Sequence, residues 1–269
     1  MADLELFIGS VALPPMSEVA HALIRSLNSE NTSVQEVSQI IEKDPALCAQ
    51  ILRLANSAQF GLPRGIGRME EAVALVGMSR VRSLALGACL AGSFPCLHGL
   101  DRDTFWHSSM ACAGYAQWLA FGVGMDVQVA WLSGMMLRLG EVLIGQVDPA
   151  ALQTIEKLPM LPGDRWRREQ QLLGFSEGHI VSELARRWNF PMQIVQGLQR
   201  ASDPLLEQAF SRLGAVLHLA FHLSESTQSS TEARLEALPV EVIDSLRLDL
   251  DWMRQTFPDS SAFLDVSLR

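Results

Sequence analysis

Apolar side chains recur along this chain at three- and four-residue intervals, and no alternation long enough for a strand interrupts them. Val19, Leu23, Ile24 and Leu27 share a face behind Ser17; Val34, Val37, Ile40 and Ile41 share another behind Ser33. Asp44-Pro45 opens a third helix, since Asp can cap free N–H groups and Pro at the first helical position loses no hydrogen bond. Leu47, Ile51, Leu54 and Ala58 make its buried stripe. Asn56-Ser57 stands where it ends, and Gly61, Pro63, Gly65 and Gly67 predict an irregular connection. Ala72, Leu75 and Val76 resume the period. Gly77 stops it, and Ser79 is placed to cap a helix carrying Val81, Leu84 and Ala85.

Gly92, Pro95 and Gly99 then break the pattern, which sets a boundary between an N-terminal lobe, residues 1–98, and a second lobe, residues 99–269. The second lobe opens with helices over 105–121 and 127–144, and Asp148-Pro149 caps a further one. A helix with Trp166 and Leu172-Leu173 follows, then one begun by Phe175-Ser176 whose core side is Ile180, Val181, Leu184, Ala185 and Trp188. Phe190-Pro191 begins a short helix to about Arg200, Asp203-Pro204 a longer one, and two amphipathic segments precede the end. The expected class is all-α, two packed helical lobes.

Composition narrows the function. With 21 basic and 30 acidic residues the formal charge is −9, which argues against nucleic acid as a partner. Cys48, Cys89, Cys96 and Cys112 form no CxxC pair and suit reduced thiols of a cytoplasmic protein. The N-terminus lacks the basic region of a secretory signal. Residues 104–125 carry no Asp, Glu, Lys or Arg, but His107, Ser108, Ser109, Gln117 and three glycines make a poor membrane span. A buried helix, with no membrane partner, is the expectation.

Leu13-Pro14-Pro15, Asp44-Pro45-Ala46-Leu47, Arg53-Leu54-Ala55-Asn56-Ser57-Ala58 with Phe60-Gly61-Leu62-Pro63, Glu71 through Gly77, and Arg80-Val81-Arg82 together resemble the HDOD domain. These are bacterial signalling modules related to the HD metal-dependent phosphohydrolases. The resemblance runs over roughly residues 13–223 and is densest in the first lobe. It implies an N-terminal helical bundle and an HD-like lobe.

An HD phosphohydrolase holds divalent metal with clustered His and Asp. By the resemblance, His107 falls at the first histidine of such a site, and Leu137-Arg138 falls on the His-Asp pair. A guanidinium at a ligand position repels a cation. His179 matches a third position, while the later ones fall near residues 199–202 and Phe221, where no ligand stands. The expectation is a degenerate pocket (His107, Leu137, Arg138, His179) with no metal, no cofactor and no catalysis, His107 and His179 being hydrogen-bonded core histidines. His218 and His222, four apart, have Zn²⁺-like spacing without a third ligand nearby. Five arginines in residues 44–84 oppose three acids, so Arg53, Asn56, Ser57, Phe60, Arg64, Arg80 and Arg82 mark a candidate interaction surface for other signalling proteins. Arg165, Arg167 and Arg168 read as ordinary surface. The resemblance implies a non-catalytic signal-transduction module, linked to two-component or cyclic-dinucleotide regulation. The alternatives are a nucleotide-sensing pseudo-phosphohydrolase with Arg138 on the phosphate, and a residual metal-dependent phosphohydrolase.

Overall fold

Short polar side chains decide where most helices begin. The computed structural model describes residues 2–11, 14–29, 31–61, 65–94, 100–157, 161–206, 210–228, 230–259 and 263, and among these there is no strand. The helices are α1 (Ala2–Ser10), α2 (Glu18–Leu27), α3 (Val34–Ile41), α4 (Pro45–Ala55), α5 (Met69–Val76), α6 (Met78–Ser93), α7 (Arg102–Gly122), α8 (Val127–Leu137) and α9 (Leu139–Val147). They continue as α10 (Pro149–Ile155), α11 (Asp164–Leu173), α12 (Glu177–Arg187), α13 (Met192–Gln199), α14 (Arg212–Glu225), α15 (Thr231–Glu236), α16 (Val240–Leu246) and α17 (Leu250–Thr256). Ser17 Oγ accepts the Ala20 N–H, Ser33 and Glu36 cap each other reciprocally, and Asp44 Oδ1 accepts from Ala46 and Leu47. Asp101, Asp126, Asp148, Ser211 and Asp249 do the same farther on.

The chain divides into two compact units. The smaller comprises Pro14–Phe94 with Trp188–Pro191, and the larger Met1–Leu13, Pro95–Arg187 and Met192–Ser267. Helix α1, which the sequence pattern does not single out, therefore groups with the larger unit. It buries Phe7 and Ile8, and the Phe7 ring lies edge-on to Phe175 at 5.2 Å.

In the smaller unit the apolar stripes of α2 to α6 meet in a core of Leu23, Ile24, Val37, Ile41, Ile51, Val73, Val81 and Leu90. The helix expected from Ser79 starts at Met78 instead. Gly77 has φ +95°, and its carbonyl already accepts the Val81 N–H, so α5 turns by 108° into α6 with no capping residue between them. The irregular connection after α4 is held by Asn56. Its Nδ2 donates to Leu52 O and to Ile66 O, both at 2.8 Å, and its Oδ1 accepts the Ile66 N–H at 2.6 Å. Arg82 Nη1 donates to Ser26 O at 2.6 Å and ties α6 to the end of α2.

In the larger unit α7 packs on α8 and α14, while α12 packs on α9 and α13. Much of α7 is buried, as expected for residues 104–125. Among the described residues, an unbent run long and apolar enough to cross a membrane is the next one, Val127–Val147, and 83% of its most apolar window is buried inside the protein. That run is broken at Arg138, which separates α8 from α9. The long helix expected from Asp203 starts at Arg212, capped by Ser211; its predicted opening is a turn at 204–205.

Asn56→Ala removes three hydrogen bonds that close the connection after α4. Because the side chain is exposed, the expected cost is about 1 kcal/mol in unfolding free energy, read as a lower urea midpoint at unchanged slope.

Candidate functional site

The break at Arg138 has a cause in what surrounds it. Leu137 is wholly buried and Arg138 is 4% exposed, so the guanidinium must find its partners inside. Its Nη2 lies 2.7 Å from Glu141 Oε2, one turn along. Its Nη1 lies 3.0 Å from Glu225 Oε1, at the end of α14, and 3.6 Å from Glu177 Oε1, at the start of α12. Gly140 permits the last approach, because a Cβ there would stand 2.5 Å from the Glu177 Cβ. Arg165 on α11 joins the cluster: its Nε donates to Glu225 Oε1 at 3.0 Å, and its Nη2 pairs with Glu156 at 2.5 Å. Arg165 is thus a core residue, not the surface residue its neighbours suggest in sequence. Below the ions, Phe221 lies 5.2 Å from the Arg138 guanidinium carbon and stacks on Trp166 at 3.9 Å.

Five carboxylates face these two guanidinium groups, and protons take up part of the excess. Burial pushes Glu177 up to about 7 against the pull of Arg138 and Arg165. Burial and then the Glu177 charge hold Glu169 well above the ordinary carboxylate range. Glu169 Oε2 accepts the Glu177 N–H at 2.7 Å, and Glu177 Oε1 accepts from Trp166 Nε1 at 3.0 Å. Burial and Arg165 work against the charge of Arg138, but the carboxylates outweigh them and raise its affinity for the proton. Arg138 is a permanent cation here.

A cavity of about 860 Å³ also opens in this unit. His179, Gln199, Arg200, Ser202, His218 and His222 are among its lining residues, with Trp166 in the wall. His179 is half-buried at the start of α12, where Nδ1 accepts the Ser176 N–H at 3.3 Å and lies 2.8 Å from Ser176 Oγ. His218 Nδ1 lies 2.8 Å from Ala201 O and donates to it. Burial lowers the proton affinity of all three imidazoles, that of His222 to about 4.

The four residues that the resemblance assigns to one pocket do not all line this cavity. His107 is exposed on α7, not a core histidine, and is absent from the cavity lining, because its turn of helix directs Phe105, Ser109 and Met110 inward. Arg138 is enclosed by carboxylates and is not free to hold a phosphate. His179 alone lines the cavity. The residues that the sequence reasoning missed are Glu141, Glu156, Glu169, Glu177 and Glu225. Of these Glu141 was within reach, as the i,i+3 partner of an arginine in an apolar run.

On the candidate interaction surface, Asn56 and Arg82 are engaged in internal hydrogen bonds. Ser57 Oγ is buried without a hydrogen-bond partner in the described residues. Arg53 is exposed, Phe60 and Arg80 are half-buried, and Arg64 lies outside the described residues.

The metal of the phosphohydrolases does not fit these residues. A guanidinium with three carboxylates around it stands at the position that the resemblance assigns to the ligand pair, and no cluster of three or more His, Cys, Asp or Glu among the described residues could hold an ion.

An all-helical fold with a buried arginine–carboxylate cluster narrows the class, and comparison gives the family. The chain belongs to the HDOD domain family, whose model matches residues 13–204. Among solved structures it is similar to a candidate phosphohydrolase from Shewanella amazonensis SB2B, with 26% identity, TM-score 0.76, and 99% of this chain and 96% of that one covered. It also shares its fold with an HDOD domain protein of unknown function from Geobacter sulfurreducens (20% identity, TM-score 0.78, coverage 100% and 98%). A candidate signal transduction protein from Marinobacter aquaeolei VT8 is a third match (21% identity, TM-score 0.77, coverage 98% and 63%). An uncharacterized protein of Treponema pallidum (strain Nichols) is 24% identical over 194 residues, covering 70% of this chain and 37% of that one. The chain thus spans little more than a third of that relative's length.

Arg138→Met takes from Glu141 its 2.7 Å partner and leaves Glu225 to Arg165 alone, and is expected to cost about 3–5 kcal/mol, measured by urea unfolding. Adding Glu141→Gln and Glu225→Gln removes those charges and should recover a large part. No recovery would show that packing, not charge, sets the loss.

Glu177 supplies a pH dependence. Its folded-state pKa of about 7 lies above the unfolded value, so its contribution to stability is complete below the unfolded pKa and is lost as pH rises through about 7. His222, lowered to about 4, acts with the opposite sign over part of that window. Glu177→Gln isolates the first effect: relative to the parent, its melting temperature should climb from about pH 5 to about pH 8. A constant offset would show that Glu177 does not exchange its proton on unfolding.

Proposed function

We propose that this chain is a non-catalytic signal-transduction module that works by binding other signalling proteins. The observation that carries this reading is the Arg138 guanidinium, held by Glu141, Glu177 and Glu225 at the position that the HDOD resemblance assigns to a metal ligand pair. Metal-dependent hydrolysis needs an exchangeable divalent cation that lowers the pKa of bound water and polarises a phosphoryl oxygen. A guanidinium does neither. It has no open coordination position and keeps its proton throughout the accessible pH range. The carboxylates of Glu141 and Glu225 are turned toward Arg138 and Arg165.

The fold's neighbours include both a candidate phosphohydrolase and a candidate signal transduction protein, so the choice rests on this chain's own residues. Two-component or cyclic-dinucleotide signalling is the setting we favour, because the HDOD resemblance connects it with those systems.

Protein purified without chelator is expected to carry no stoichiometric Mn, Fe or Zn by elemental analysis. It is expected to release no product from bis-p-nitrophenyl phosphate or cyclic dinucleotides with Mn²⁺ added. Turnover that disappears on His179→Ala would overturn the proposal.

A further inference from the structure

The cavity beside the buried ion pairs contains an arginine of a different kind. Arg200 follows directly on α13 and is half-buried. It makes no ion pair among the described residues, although it lines the 860 Å³ cavity and a neighbouring one of about 630 Å³. The other cation of the larger cavity, Arg167, is occupied by Asp164 at 2.5 Å. A guanidinium fork that a fold leaves facing a cavity matches an oxyanion in both charge and geometry.

His179 supplies a second donor. Since Nδ1 accepts the Ser176 N–H, the ring proton sits on Nε2, which has no partner among the described residues. Ser202 Oγ, 2.9 Å from Ser176 Oγ, extends this polar side of the cavity. The opposite chemistry lies in the wall. Trp166 and His218 are 5.2 Å apart, His218 and His222 are 4.6 Å apart and tilted by only 32°, and the His218 ring is fixed by its bond to Ala201 O. Flat, neutral rings held in place form a surface on which another flat ring stacks.

We propose that this cavity binds a small phosphorylated ligand bearing a heteroaromatic ring, in chemical class a nucleoside monophosphate. Arg200 and His179 take the phosphate, and the Trp166–His218–His222 wall takes the ring. This deepens the reading of a non-catalytic module by naming the class of molecule it senses, and it moves the phosphate partner from Arg138 to Arg200. The volume falls within the range of small-molecule sites. Burial lowers the proton affinity of His179 and His218, and Arg167 is paired with Asp164, so the unpaired positive charge in the lining is that of Arg200. Asp203, exposed at the rim, opposes an anion and sets a second, oppositely signed test.

The test is calorimetric titration of the full chain with AMP, GMP and inorganic phosphate, at neutral pH without divalent metal. At least one nucleotide should bind with 1:1 stoichiometry, about tenfold or more tighter than inorganic phosphate. Arg200→Ala should weaken it by about tenfold or more, and Asp203→Asn should tighten it. Thermal unfolding of the unliganded variants, matched to the parent, shows that they fold. Failure of both nucleotides and phosphate to bind at millimolar concentration overturns the proposal, as does binding indifferent to Arg200→Ala. Equal affinity for phosphate and nucleotide overturns the assignment of the ring. Release of phosphate from a bound nucleotide would overturn the non-catalytic reading while leaving the cavity assignment standing.

Discussion

A buried guanidinium has to be matched by carboxylates at hydrogen-bond distance, and in the larger unit that requirement organises the fold. Arg138 and Arg165 draw partners from the end of α10, from α9, from the start of α12 and from the end of α14. Each partner arrives through a local feature of its own. The helix breaks at Arg138, Gly140 lets the start of α12 come close, and Trp166 gives Glu177 a neutral donor. Burying such a cluster gains little stability over an apolar core, because desolvation consumes most of the Coulombic attraction. Its larger effect is on arrangement. Any sliding of these helices would leave a charge unpaired, so the pairs act against alternative packings even where they add little net free energy.

Helix starts were legible because capping is local. Ser17, Ser33 and Asp44-Pro45 each announce a helix within four residues, and each is found capping one. Ser79 failed as a predicted cap for an equally local reason, since Gly77 can leave one helix and begin the next by itself. The ion cluster was only half legible. Arg138 stood out because it replaces an expected anion, but Glu177 and Glu225 lie 39 and 87 residues away and look like surface acids on amphipathic helices. Arg165 was concealed by Arg167 and Arg168, which share its stretch but not its burial. His107 misled in the other direction. A resemblance carries position along the chain, but not the helical phase that decides which residue of a turn faces inward.

The smaller unit shows why a family signature need not be a docking surface. Asn56 and Arg82 use their polar atoms on backbone groups that the connection after α4 and the end of α2 would otherwise leave unpaired. Residues of this kind specify a backbone path. A surface that distinguishes partners has to keep side chains with unsatisfied valence pointing outward. Within the motif the half-buried Phe60 and Arg80 are better placed for that than Asn56.

Arg138 and Arg200 separate the two uses a fold can make of a cation. Around Arg138 three carboxylates lie within 3.6 Å, so its charge is matched where it arises. Around Arg200 no carboxylate comes within ion-pair distance among the described residues, and Asp203 stands at the rim of the same cavity without pairing to it. An internal cation fixed by covalent attachment is always present and never exchanges, which makes it a sound structural element and a poor Lewis acid. A cation left facing a cavity lacks that compensation, and the free energy of matching it is available to whatever anion enters.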